Sequence, residues 1–168
     1  MHGVDETTRK QLDEKRQGII ARRLRPREGR APSTARGVHH IALVCSDVER
    51  TVDFFDGILG FPLIEMFENR DYGGSTHFFF DLGHGNSLAY FDLPGLDLGP
   101  YAEVLGGLHH LAISISREQW EAARDRLAAS GVETVNIDES SLYFSGPDGE
   151  RLELISDPLG EMYGKPVG

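Results

Sequence analysis

Two histidines and one glutamate are placed so that they could hold a metal ion together. His40 and His110 occupy the same position in two similar segments, GVHHIALVCSD at 37–47 and GLHHLAISISR at 107–117, and Glu153 lies in a strand-like run near the end of the chain. Two imidazoles and a carboxylate suit Fe(II), Mn(II), Zn(II), Ni(II) or Co(II) and leave positions open for substrate. These residues predict a site for one divalent metal ion.

Side-chain alternation along the predicted strands puts the three residues on uncrowded faces. In the first strand the large aliphatic side chains face one way, while His40 and the small Ala42 face the other. The second segment repeats this pattern around His110. In the last strand Glu153 points away from its two flanking leucines, on the same face as Arg151.

The elements that position these residues occur twice. Besides the two histidine segments, FFFDLGHGNSLAYFDLP at 78–94 aligns with LYFSGPDGERLELISDP at 142–158, and between them run helix-like stretches that end in glycine. The repeat predicts an α+β fold of two strand–helix–strand–strand–strand modules, at about 37–94 and 107–158, within one domain spanning 37–168.

The first 36 residues differ in composition from the rest. They hold ten of the 17 Lys and Arg and five of the 27 Asp and Glu, a net charge of +5, which leaves −15 on residues 37–168. A charged helix is predicted at 5–24, followed by a flexible linker. The acidic domain argues against a nucleic acid partner. No long apolar run is present, so we expect no membrane contact and a cytoplasmic protein.

Two longer motifs resemble a known family. They are H-x-x-x-x-x-S-D with a helix ending in LGF, from His40 to Phe61, and Y-F-x-x-P-D-G-x-x-L-E, from Tyr143 to Glu153. The resemblance is to the vicinal oxygen chelate superfamily of glyoxalases, bleomycin-resistance proteins and extradiol dioxygenases, over about residues 37–158. It implies two βαβββ modules curling into a cup around a metal held by His40, His110 and Glu153, a small-molecule substrate, and a homodimer.

The chain departs from the subfamily patterns at several positions. Glyoxalase-type members add a fourth ligand where the internal alignment places Ala89. Extradiol dioxygenases have an acid–base histidine before the tyrosine, which is absent here, and an acid is common where Gly146 stands.

His77 and Tyr143 are the candidate catalytic residues, for proton transfer and for hydrogen bonding to a substrate oxygen. A surface or packing role is the alternative for each. The remaining possible groups are interpreted as structural or exposed histidines and a buried thiol: His39, His84, His109 and Cys45.

Four functions remain open. The first is an Fe(II)-dependent, extradiol-dioxygenase-like enzyme acting on a small oxygenated substrate, with aromatic molecules as one option. The second is a lyase or isomerase of glyoxalase or epimerase type, for which Zn, Ni, Co or Mn would serve. The third is a metal-dependent transferase conferring antibiotic resistance. The last is a metal-free binding protein of the bleomycin-resistance kind.

Overall fold

The computed structural model describes residues 3–167, which divide into two compact units at the boundary between Arg36 and Gly37. In the first unit, helix α1 spans Glu6–Arg23 and is capped by the Asp5 carboxylate, which accepts a hydrogen bond from the Thr8 amide at 3.0 Å. None of its side chains is buried. The predicted segments 1–36 and 37–168 extend slightly beyond the described residues, which leave out 1, 2 and 168. No helix within 3–167 is long and apolar enough to cross a membrane.

The second unit opens with a four-stranded module. Its elements are β1 (His40–Cys45), α2 (Val48–Val52) with a π-helical continuation (Asp53–Leu59), β2 (Leu63–Glu68), β3 (Thr76–Asp81) and β4 (Ser87–Asp92). The strand order is β1-β4-β3-β2, with β1 parallel to β4 and the other pairs antiparallel. Gly60 ends the helical segment at φ 77°, a left-handed conformation that glycine adopts without strain.

The following module repeats this topology. Its elements are β5 (Leu111–Ser114), α3 (Arg117–Ala129), β6 (Thr134–Asn136), β7 (Ser141–Ser145) and β8 (Arg151–Ile155), in the order β5-β8-β7-β6. A short hairpin, β9 (Glu161–Met162) and β10 (Lys165–Pro166), follows. The predicted α+β fold of two βαβββ modules is therefore confirmed.

A single aromatic-rich core joins the helical sides of both modules. Phe55 is fully buried against Phe80 and Tyr90, and the ring of Phe54 lies 6.2 Å from that of Phe144 in the other module. The predicted alternation is also confirmed in β1, where Cys45 is buried on the helix side. The candidate site residues lie on the opposite faces of the sheets, away from this core.

A buried hydrogen bond links the modules near the GPDG turn. The Tyr90 hydroxyl donates to Glu150 Oε1 at 2.7 Å, and the Asp148 amide donates to Glu150 Oε2 at 2.9 Å. Burial raises the pKa of the Glu150 carboxyl. A Cβ on residue 146 would collide with that carboxyl group, which explains why glycine occurs there.

We expect Tyr90→Phe to lower the free energy of unfolding by about 1–3 kcal/mol, because it leaves a buried carboxylate oxygen without its donor. Urea denaturation followed by Trp120 fluorescence measures this. The matched control is Tyr72→Phe, because the Tyr72 hydroxyl donates to the Pro94 carbonyl at a more exposed position. Equal losses for the two variants would contradict a special role for the buried pair.

Cys45 should be unreactive in the folded protein. It is 3% exposed, and burial raises its pKa from 9.0 to about 11, which lowers the thiolate fraction at pH 8 roughly 100-fold. Ellman's reagent should therefore label native protein slowly and urea-unfolded protein quickly. Fast labelling under native conditions would show that the thiol is accessible.

Candidate metal centre

The second module brings two of the predicted ligands together. Glu153 lies in the middle of β8, is 5% exposed, and places Oε2 3.1 Å from Nε2 of His110, just before β5. Ala112 is the β5 residue in register with Glu153, and its short side chain leaves room beside the carboxylate. A buried carboxylate beside an imidazole nitrogen is a donor pair suited to a divalent transition metal.

Tyr143 borders this pair directly. It faces Glu153 across the antiparallel β7–β8 pairing, and its ring centroid lies 5.6 Å from that of His110. Burial, followed by the hydrogen bond to Glu153 and that carboxylate's charge, raises the pKa of Tyr143 to about 12. The hydroxyl therefore remains protonated at neutral pH and can donate a hydrogen bond.

Arg151 adds a positive charge to the same face. Its guanidinium carbon lies 5.1 Å from the centroid of the Tyr143 ring, and Nη1 donates to Glu103 Oε1 at 3.3 Å. Strand alternation predicts Arg151 on this face, but the sequence motifs assign it no role. The signal that could have found it is its spacing of two residues from Glu153 in one strand.

His40 lies apart from these residues in the single chain. It is exposed on β1, with its nearest aromatic neighbours being His39 and Phe79, whose ring centroids lie 5.1 and 6.2 Å away. Within residues 3–167 of one chain, no three His, Cys, Asp or Glu side chains converge to hold a metal ion. The chain thus presents a histidine–glutamate pair on one module and a separate histidine on the other.

His77 lies in an aromatic box on the first module and not beside Tyr143. Its ring stacks on that of Phe91, with 3.8 Å between the ring centroids. The ring centroids of Phe79 and Phe67 lie 4.3 and 5.2 Å from that of His77. Its buried Nε2 has no hydrogen-bond partner in the described part of the chain. Burial and then the charge of His40 lower the pKa of His77. The two candidate catalytic residues are therefore on different modules.

The strand register supports the internal alignment at the site. Ala89 pairs with Ala42 as Glu153 pairs with Ala112, and Phe79 faces Ala89 as Tyr143 faces Glu153. Ala89 is fully buried. The first module therefore has alanine where the second has its carboxylate ligand candidate.

The architecture defines a class of protein: paired βαβββ modules, the second carrying a histidine–glutamate pair on its sheet. The family model of the glyoxalase/bleomycin resistance protein/dioxygenase superfamily matches residues 37–154. The chain belongs to this family, the vicinal oxygen chelate superfamily predicted from the two motifs.

Individual relatives carry different activities. The chain is 26% identical over 139 residues to a metallothiol transferase, FosB, of Lysinibacillus sphaericus, covering 75% of this chain and 86% of the relative. It is 24% identical over 139 residues to a putative ring-cleaving dioxygenase, MhqA, of Bacillus subtilis, covering 78% of this chain and 43% of the relative.

Solved structures share the fold. A mutant of the fosfomycin resistance protein FosX from Listeria monocytogenes, in complex with Mn(II) and 1S,2S-dihydroxypropylphosphonic acid, is 26% identical with a TM-score of 0.54, covering 74% of this chain and 94% of that one. A glyoxylase/bleomycin resistance protein/dioxygenase domain from Frankia is 21% identical with a TM-score of 0.64, covering 74% of this chain and 100% of that one. The family thus includes metal-dependent enzymes.

Proposed function

We propose that this chain is a divalent-metal-dependent enzyme whose site forms between two copies, with His40 from one copy and His110 and Glu153 from the other. The observation that carries the proposal is the distribution of the ligands. On the second module, Nε2 of His110 lies 3.1 Å from Oε2 of Glu153. His40 is exposed on the first module and does not converge with this pair.

The exposed surface of the first module supports association. Four large apolar side chains of β1 and β2 are 43–51% exposed: Val44, Ile64, Met66 and Phe67. A second copy that covered this surface would remove apolar area from water, which favours association. A two-fold arrangement would form two equivalent sites from the two chains.

The donor set fits a divalent metal, which when bound would polarise the oxygens of a substrate. Around it the chain's own residues do the remaining work. Tyr143 donates a hydrogen bond to a substrate oxygen, and the Arg151 guanidinium stabilises negative charge nearby. His77 lies on the same module as His40, so the copy that supplies His40 to a site also supplies His77. Its unpartnered Nε2 would serve as a proton acceptor.

The favoured reaction is oxidative ring cleavage of a small aromatic molecule with two neighbouring oxygens, with Fe(II) as the metal. Phe67, Phe79 and Phe91 surround His77 and provide an aromatic surface against which a substrate ring can stack. Alanine at position 89 leaves the three-ligand donor set that this chemistry requires.

The second candidate is thiol transfer to a small phosphonate, because one relative is named a metallothiol transferase and the solved FosX mutant holds 1S,2S-dihydroxypropylphosphonic acid. Two observations favour it: the chain covers 86% of the transferase, and Arg151 places a cation near the histidine–glutamate pair. Because Cys45 is buried, any thiol in such a reaction would have to come from a second substrate.

Metal analysis of protein purified without oxygen or chelator, beside His110→Ala, tests the proposal. Near-stoichiometric iron that is lost in the variant, with oxygen uptake on adding catechols, supports ring cleavage. Manganese or zinc, with consumption of fosfomycin and an added thiol, supports group transfer. Failure to bind any divalent metal, even after it is added back, overturns the proposal in favour of a metal-free binding protein.

A further inference from the structure

Each candidate ligand histidine is paired with the histidine that precedes it. Nδ1 of His39 lies 2.9 Å from Nδ1 of His40, and Nδ1 of His109 lies 2.7 Å from Nδ1 of His110. The ring planes cross at 78° and 74° in the two pairs. The same contact thus occurs in both modules, at repeat-equivalent positions.

A contact between two Nδ1 atoms constrains where the protons lie. One nitrogen must carry the hydrogen and the other must accept it with its lone pair. If the ligand histidine donates, its hydrogen is on Nδ1 and its Nε2 keeps a lone pair for a metal. The preceding histidine then accepts through Nδ1 and carries its own hydrogen on Nε2.

On the side of His109, the surroundings of the second pair favour that assignment. Nε2 of His109 lies 3.8 Å from Glu103 Oε2, so a hydrogen on this nitrogen faces a carboxylate. Glu103 in turn accepts a hydrogen bond from Arg151. On the other side of the pair, Nε2 of His110 lies 3.1 Å from Glu153 Oε2, a contact that by itself favours a hydrogen on this nitrogen as long as no metal lies between the two groups. The polar groups therefore form a row from Glu103 through both rings to Glu153.

We propose that His39 and His109 are positioning residues that hold His40 and His110 in the tautomer and ring orientation needed to bind metal through Nε2. This rests on the proposed function, because it assigns a role toward the same metal. Groups that accept the outer N–H of a ligand histidine fix its orientation and raise its basicity. His39 and His109, interpreted from sequence as structural or exposed, then act through their neighbours.

Two substitutions at position 109 separate this role from simple packing. His109→Asn keeps an acceptor, Oδ1, where Nδ1 stood, whereas His109→Gln places its amide near the former Nε2. We expect His109→Gln to weaken binding of Zn(II) roughly 10- to 100-fold in a competition titration. His109→Asn should stay within a few-fold of wild type. Equal losses in both variants, or none in either, would overturn the proposal.

Nitrogen-15 NMR of the metal-free full chain gives a readout that does not depend on metal binding. His40 is the better probe, because no carboxylate contacts its Nε2 within the described residues. At a pH where it is neutral, we expect the Nδ1–H tautomer in wild type and in His39→Asn, with a shift to Nε2–H in His39→Gln. An Nε2–H tautomer in wild type would overturn the proposal. If wild type binds no metal but shows the Nδ1–H tautomer, the proposed function fails and the orienting contact stands.

Discussion

A mixture of His40→Ala and His110→Ala is expected to regain metal binding that neither variant shows alone. In a shared site, the heterodimer contains one intact set of ligands, because one chain supplies His40 and the other supplies His110 and Glu153. Random exchange at equal concentrations should give roughly a quarter of the wild-type metal content per chain. Metal content after joint refolding measures this, with subunit exchange verified by native mass spectrometry.

The matched control combines two defects of the same module. A mixture of His110→Ala and Glu153→Gln leaves a defect in every site of every dimer, so it should recover nothing. If subunits exchange but the first mixture also recovers nothing, the site does not span two chains. Recovery in both mixtures would show that the metal binds elsewhere.

Glu153→Gln is expected to abolish metal binding without destabilising the metal-free fold. The amide is a poor metal ligand, so affinity should fall by more than about 100-fold, beyond the loss typical of a residue outside the coordination shell. At the same time it removes a carboxylate that is 5% exposed, and burying an amide costs less than burying a charge. Isothermal titration and the melting temperature of metal-free protein measure the two effects.

Glu133→Gln serves as the control, because Glu133 is exposed on the same module. It should leave both metal affinity and melting temperature unchanged. A Glu153→Gln variant that loses metal and also several kcal/mol of stability would mark Glu153 as a structural carboxylate.

The fold was predictable because the sequence patterns that indicate it are local and occur twice in the chain. The two histidine segments and the two closing segments carry strand periodicity, and the N-caps of the following helices are Asp47 and Ser116, both readable from sequence. The π-helical form of Asp53–Leu59 was not predicted. π-Helical segments are rare and occur mostly as single turns within α-helices, so an apolar pattern typical of a helix does not single one out.

The candidate site was only partly predictable, for a geometric reason. Alternation predicts Glu153 and His110 on the uncrowded faces of their strands, and strand pairing brings the two side chains to within 3.1 Å of each other. The position of His40 relative to them depends on how whole modules are arranged, which periodicity does not encode. Contacts such as Tyr90 with Glu150, 60 residues apart, and the stacking of Arg151 on Tyr143 likewise arise from tertiary packing.

Ala89 lies at a position where a single substitution would add a carboxylate to the first module. It occupies in β4 the register that Glu153 occupies in β8, with alanine beside it in each case. Alanine and glutamate codons can differ by a single base, so one point mutation could place a second carboxylate on the His40 side. A fourth acidic or amide ligand at this position is the feature by which glyoxalase-type members differ. The donor set of this fold therefore depends on the residue at one strand register.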